Sequence, residues 1–197
     1  MAGVLLAAGE GSRLGRPKAL VEIGGEPLAR RGVTLLRDGG AAPVVVVTGA
    51  VAVDLPGVLA VHNPGWRSGM GSSLAAGLAT VPDTCTAAVI ALVDQPLVSP
   101  EAVRRLIAAH AAGATVAVAA YQGAPRNPVL LAREHWAAVV ELAVGDAGAR
   151  PFLRAYPELV TVVECGDTGR PDDLDTPSDL ARLAGLVEPR EAAANQD

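Results

Sequence analysis

Short runs of apolar residues alternate along the chain with longer stretches in which apolar positions recur at helical spacing. The runs cover residues 4–7, 43–48, 58–62, 87–93 and 114–120, with weaker ones at 128–131 and 159–164. They are continuous rather than alternating, which suits strands covered on both faces. Helical spacing occupies 26–37, 71–79, 100–112, 134–142 and 176–186. Ser99-Pro100 opens the third of these as N-cap and first helical residue, and Gly113 stops it. The alternation predicts an α/β fold: a three-layer α/β/α sandwich on a mostly parallel, Rossmann-like sheet. Residues 1–187 read as one domain. Residues 188–197 are polar with no apolar face and read as a disordered tail.

Composition adjusts this picture in a few places. With 197 residues, half of them hydrophobic, one α/β core can be filled. Aromatics make up only 3%, so Ala, Val and Leu must fill it. A formal charge of −5 argues against a nucleic-acid-binding face but leaves room for a small basic pocket. Two cysteines, Cys85 and Cys165, are too few for a disulfide framework or a Cys-rich zinc site. No run approaches the roughly 20 apolar residues of a membrane span, and the start lacks the basic segment of a signal peptide. A reduced, cytoplasmic protein without membrane or nucleic-acid partners is the expectation.

The first apolar run empties into Gly9-Glu10-Gly11-Ser12-Arg13-Leu14-Gly15-Arg16-Pro17-Lys18. Glycines let backbone amides wrap an anion, and Arg13, Arg16 and Lys18 add positive charge. The loop reads as a polyphosphate cradle. It is not a dinucleotide fingerprint, because Leu14 stands where the third glycine is needed. Nor is it a P-loop, because Gly15 is followed by Arg16-Pro17-Lys18-Ala19. Lys18 is the only lysine beside fifteen arginines. An ammonium is a compact charge that fits between phosphates, so its place in this loop points to a ligand. A solvated surface lysine is the alternative.

Asp94 follows the run 87–93 directly and therefore lies at the carboxyl edge of the predicted sheet, where α/β proteins bind ligands. Facing a triphosphate it would hold Mg²⁺; otherwise it is a turn residue before Pro96. Asp175, ahead of Thr176-Pro177, is either a second metal carboxylate or a helix cap, and Asp173 is a weaker version of the first. Ser72, in Gly69-Met70-Gly71-Ser72-Ser73, binds substrate or caps a helix. Arg150, in Gly145-Asp146-Ala147-Gly148-Ala149-Arg150, and Arg126-Asn127 are candidates for an anionic second substrate. His62, His110 and His135 lack zinc spacing, and no Ser/His/Asp pattern or nucleophile elbow is evident. The chemistry predicted here needs no activated side-chain nucleophile.

Together, LAAGEGSRLGRPK, NPGWRSGMGSSLAAGL, ALVDQPLVSP, GDAGAR and DLDTPSDL resemble the molybdenum-cofactor nucleotidyltransferases, the MobA-like NTP transferases. The resemblance is nearest to their molybdopterin cytidylyltransferase branch. It implies that Leu6, Ala7 and Ala8 lie near base and ribose and that Gly9, Gly11, Arg13 and Lys18 hold the triphosphate. It also implies that Ser72 contacts the nucleotide and that Asp94 and Asp175 bind Mg²⁺. Guanylyl-transferring relatives typically have Gly where this chain has Ala8, so cytosine is implied. The cytidylyltransferases often carry Gly-His-Pro where this chain has Arg126-Asn127-Pro128, which leaves the acceptor open. The implied activity is transfer of CMP from CTP to a phosphate-bearing acceptor, expected to be molybdopterin, with a downstream molybdoenzyme or its chaperone as partner. A guanylyl- or sugar-1-phosphate nucleotidyltransferase and a non-catalytic cofactor carrier are the rivals. A dinucleotide oxidoreductase is disfavoured by the loop spacing.

Overall fold

The computed structural model describes residues 1–187. The tail expected over 188–197 lies outside the described residues. In chain order the strands are β1 (Ala2–Leu6), β2 (Glu22–Ile23), β3 (Glu26–Pro27), β4 (Val44–Thr48), β5 (Leu59–His62), β6 (Ala87–Leu92), β7 (Val116–Tyr121), β8 (Ala124–Ala132) and β9 (Val160–Glu164). The helices are α1 (Leu28–Asp38), α2 (Met70–Thr80), α3 (Pro100–Ala111), α4 (Trp136–Leu142), α5 (Arg150–Ala155) and α6 (Pro177–Ala184). Short 3₁₀ turns, including Lys18–Leu20 and Gly145–Ala147, punctuate the loops.

Seven strands form one sheet in the order β5-β4-β1-β6-β8-β7-β9, and β2-β3 make a separate hairpin. All neighbours in the large sheet run parallel except at β8, which is antiparallel to both β6 and β7. The reason is local. Gln122 and Gly123 both adopt positive φ, +55° and +76°, and make a two-residue turn of the kind that closes hairpins. Residues 124–127, outside the apolar run expected over 128–131, are therefore the more exposed start of β8. Gly24 and Gly25, at φ +59° and +76°, similarly close the β2–β3 hairpin. Glu26 thus belongs to a strand, and the helix expected from residue 26 begins at Leu28. The other unforeseen element is the short helix α5.

Strand side chains alternate between two cores. Leu5, Val46, Val89, Ala117 and Leu130 face the side of α1, α3 and α6, with Leu36, Leu106 and Leu183. Val4, Val45, Ile90, Val118 and Leu131 face α2, α4 and α5, with Leu74, Val139 and Phe152. Apolar runs buried on both faces are what an α/β/α sandwich requires. Glycine brings α1 against β1: a Cβ on Gly32 would lie 2.6 Å from the Leu5 side chain. No helix among the described residues is long and apolar enough to cross a membrane.

Candidate active site

The carboxyl ends of β1 and β6 lie side by side, their last register pair being Leu6↔Leu92. Val93 N–H continues the ladder onto Leu6 C=O at 3.2 Å, so the chain passes into Asp94 next to the exit of β1. On the β1 side, Leu6, Ala7 and Ala8 are buried. Ala7 N–H donates to Val47 C=O and Ala8 C=O accepts from Ala50 N–H, each at 2.9 Å, which locks this segment to the end of β4 and the loop after it. Gly9 is exposed. Gly11 has φ +63°, and a side chain there would overlap the Arg16 carbonyl oxygen. The glycine folds the loop back on itself and delivers Lys18 beneath it.

Three elements then converge. Lys18 Nζ donates to Asp94 Oδ2 at 2.7 Å and to Asp175 Oδ1 at 2.5 Å. Arg13 reaches the other oxygen of Asp175 at 3.1 Å. Burial works against the Lys18 charge, but the Asp94 and Asp175 carboxylates outweigh it and hold its pKa above the ordinary value. Asp175 is free to face Lys18 because it is not the helix cap. Thr176 caps α6 in a reciprocal box with Asp179, and Pro177 occupies the first helical position. Leu174, fully buried, anchors the segment, and its N–H donates to Asp94 C=O at 2.8 Å.

Asp173 stands at the same corner, with Oδ1 accepting from Gln95 Nε2 at 2.9 Å. It keeps much of its surface in solvent, yet the protein crowding its carboxyl pushes its pKa up. The Gln95 hydrogen bond opposes that rise, while the negative charges of Asp94 and Asp175 add to it.

A divalent ion fits this donor set. Asp94 Oδ1 is buried without a hydrogen-bond partner, an oxygen with free lone pairs. Mg²⁺-type ions take one or two carboxylates and complete their shell with water and phosphate oxygens. No group of three or more His, Cys, Asp or Glu residues suited to a metal occurs among the described residues, so the remaining ligands must come from elsewhere.

The other expected residues lie around this centre. Ser72 is committed internally: its hydroxyl accepts from Asn63 Nδ2 at 2.9 Å and donates to Gly69 C=O at 2.9 Å. Gly69 itself stands at the N-cap of α2. The two motifs around Ser72 and Arg150, separate in sequence, pack together. A Cβ on Gly69 would overlap the backbone of Gly145, and one on Gly71 would overlap Ala143 C=O. Arg150 begins α5 and is exposed. Arg126 and Asn127 lie beyond the last β6–β8 register pair, Ile90↔Val129, at the same sheet edge as Asp94. Arg126 and Arg150 have no ion-pair partner among the described residues. Sequence reasoning missed Asn63, which ties Ser72 and Ser73 together, and Gln95. It also missed Trp66, whose side chain packs against Gly49 beside Ala8 C=O, with Arg67 stacked on it at 4.3 Å. The motif strings containing them were visible, but their pairing is tertiary.

Residues 3–160 match the MobA-like NTP transferase domain. The chain is 40% identical to nicotine blue oxidoreductase of Paenarthrobacter nicotinovorans over 92% of its own length and 95% of that protein's. It is 36% identical to a molybdenum cofactor guanylyltransferase of Rhizobium johnstonii over 62% of this chain and 58% of that one. Among solved structures, Rv0371c from Mycobacterium tuberculosis H37Rv, in complex with manganese, superposes with a TM-score of 0.77 at 27% identity, covering 94% of this chain and 98% of that one.

Proposed function

The chain belongs to the MobA-like NTP transferase family, and from that premise we propose that it moves CMP from CTP to a phosphate-bearing small molecule, molybdopterin in the first instance. The observation that carries this reading is the convergence of Lys18, Asp94 and Asp175 at the carboxyl edge of β1 and β6. Residues 1–187 act as one nucleotidyltransferase domain. Its two free, buried thiols fit a reduced cytoplasmic setting.

A terminal phosphate of the acceptor attacks the α-phosphorus of CTP, the bond to the bridging oxygen breaks, and pyrophosphate leaves. The nucleophile is already anionic near neutral pH, so no side chain has to remove a proton. Catalysis then consists of positioning and charge stabilisation. The buried backbone of Leu6, Ala7 and Ala8 lines the base and ribose, and Ser72 with its Asn63 network borders them. Gly9 and Gly11 let amides approach the phosphates. Lys18 and Arg13 turn from Asp175 towards the departing pyrophosphate. Asp94 and Asp175 would hold Mg²⁺, which supplies positive charge against phosphate oxygens. Arg126, Asn127 and Arg150 are the donors available to the acceptor. The manganese bound by the Rv0371c relative supports a divalent ion. Ala8 favours cytosine, whereas the guanylyltransferase relative speaks for GTP.

Pyrophosphate release across the four nucleoside triphosphates, with Mg²⁺ and with or without molybdopterin, tests this reading. Release with CTP alone among them, dependent on acceptor, is the expected result. Release with GTP instead overturns the base assignment, and release with none overturns the reaction.

A second reading rests on the full-length similarity to a protein named as an oxidoreductase. The Gly9–Lys18 loop does not follow the dinucleotide spacing. A melting-temperature shift with NAD(P)H, together with silence towards all triphosphates, would favour this reading over transfer.

A further inference from the structure

The chain that carries Asp175 between β9 and α6 is stitched across the sheet edge. Backbone bonds hold both ends of the stitch: Arg170 N–H to Leu97 C=O at 3.0 Å and Leu174 N–H to Asp94 C=O at 2.8 Å. Between them Arg182 of α6 holds Asp172 at 2.7 Å, and a side chain following β6 ties the segment to the sheet edge. Gln95, only 6% exposed, donates from Nε2 to Asp173 Oδ1 at 2.9 Å and reaches towards Pro171 C=O at 3.5 Å. Leu174 points into the core, and Asp173 and Asp175 flank it. Three carboxylates, Asp94, Asp173 and Asp175, therefore crowd one corner, with Lys18 and Arg13 as the neighbouring cations. Like charges so placed repel, and the Asp173 carboxylate would swing outwards unless held. A buried donor fixed to the end of β6 supplies that hold.

We propose that Gln95 is a positioning residue: its carboxamide pins Asp173, and thereby the turn of chain that presents Asp175 to Lys18 and, with Asp94, to a divalent ion. The second half of this statement rests on the nucleotidyltransferase reading; the first half rests on the geometry alone. Leu at position 95 would remove the donor. Glu would remove it and add another carboxylate to the corner. Glu at position 95 facing Asn at position 173 would restore the bond with donor and acceptor exchanged.

The test compares wild type, Gln95→Leu, Gln95→Glu and the double variant Gln95→Glu/Asp173→Asn, with melting curves to establish folding. Because Lys18 is the only lysine, labelling with [¹⁵N-ζ]lysine gives a single ammonium resonance that reports the Asp94–Lys18–Asp175 contact without any ligand. A second readout is Mn²⁺ binding in the presence of CTP. Both single variants should move the Lys18 resonance towards that of solvated lysine and weaken Mn²⁺ binding about 10–100-fold, as loss of a residue supporting metal ligands does. The double variant should return both readouts towards wild type. An unmoved resonance in a folded single variant, or no return in a folded double variant, overturns the proposal. Should Gln95→Leu fail to fold, Gln95→Glu and its paired variant decide. If wild type takes up no nucleotide, the proposed function fails while the resonance still judges Gln95.

Discussion

Replacing Lys18 with Met retains an unbranched apolar stem and removes the ammonium, and the effects on metal and on nucleotide should run in opposite directions. In the wild type Nζ lies 2.7 Å from Asp94 and 2.5 Å from Asp175, on the two carboxylates that would hold a divalent ion in the proposed function. An ion arriving alone must displace the ammonium or sit beside it. A unit charge about 4 Å away is worth about 4 kcal/mol at an effective dielectric near 20 and about 1 kcal/mol in bulk water. The two carboxylates are 21% and 30% exposed, so the site lies between these limits. Even about 1.4 kcal/mol, near the solvent end, is tenfold in affinity. Mn²⁺ alone should therefore bind Lys18→Met at least about tenfold more tightly than wild type.

With nucleotide the sign reverses. On the proposed reading, the triphosphate would draw Lys18 off the carboxylates, so metal and nucleotide should favour each other's binding in the wild type. Met cannot answer the phosphates, and pyrophosphate release should fall about 10²–10³-fold, the scale for losing one preorganised donor. The raised Lys18 pKa gives the contact a defined pH range. Its stability is complete below the ordinary lysine value of 10.5 and is lost only as pH climbs through the higher folded value. The difference in melting temperature between wild type and variant should thus stay flat from mildly acidic to mildly alkaline pH, as long as the carboxylates remain ionised. Calorimetric titration of Mn²⁺ with and without CTP, and a coupled pyrophosphate assay, measure both effects. Turnover close to wild type, with Mn²⁺ bound no more tightly, would refute the argument at its root.

Three further outcomes test the scaffold. Glu164 accepts from the backbone N–H groups of Gln122, Gly123 and Gly166 at 3.1, 2.9 and 2.8 Å, and these bonds hold its pKa below the usual carboxylate value. The stability it adds is present above the unfolded value and disappears as pH falls through the folded one. Glu164→Gln should therefore melt earlier than wild type near neutral pH, with the gap closing in acid; a gap that widens in acid contradicts the assignment. Gly71→Ala would push a methyl group into the Ala143 carbonyl, where backbone meets backbone. Overpacking of this kind costs about 1–3 kcal/mol, or about 2–4 °C of melting temperature for each, and an unchanged melt would refute the close approach. Tyr121 buries its hydroxyl without a partner. Tyr121→Phe should hold or gain up to about 1 kcal/mol in denaturant unfolding, because an unsatisfied polar atom is removed; a clear loss would disclose a hydrogen bond that the geometry does not contain.

The elements legible from sequence were those whose signal is local. β4, β6 and β7 are apolar runs, and α3 carries Ser99 at its N-cap, whose hydroxyl oxygen accepts from Glu101 N–H at 3.1 Å. β8 was obscured at its start because Ala124-Pro125-Arg126-Asn127 carries loop residues. Its direction follows from the two positive-φ residues before it, and only a hairpin partner turns that into a strand. The same division runs through the candidate site. Lys18 stood out because lysine is otherwise missing from the chain, and Asp94 because it ends an apolar run. Asp175 stayed ambiguous between cap and ligand, since both readings use an Asp ahead of Thr-Pro. The structure assigns the capping to Thr176 and Asp179, which leaves Asp175 for Lys18. Gln95 had no signal of its own, because a neutral amide carries neither charge nor periodicity. Its significance depends on Asp173, which only the return of the chain from β9 brings within 2.9 Å. Charged groups that meet at a sheet edge can be inferred from rarity and position. The uncharged groups that aim them emerge only when distant segments are seen hydrogen-bonded together, and it is there that substitutions should separate loss of positioning from loss of charge.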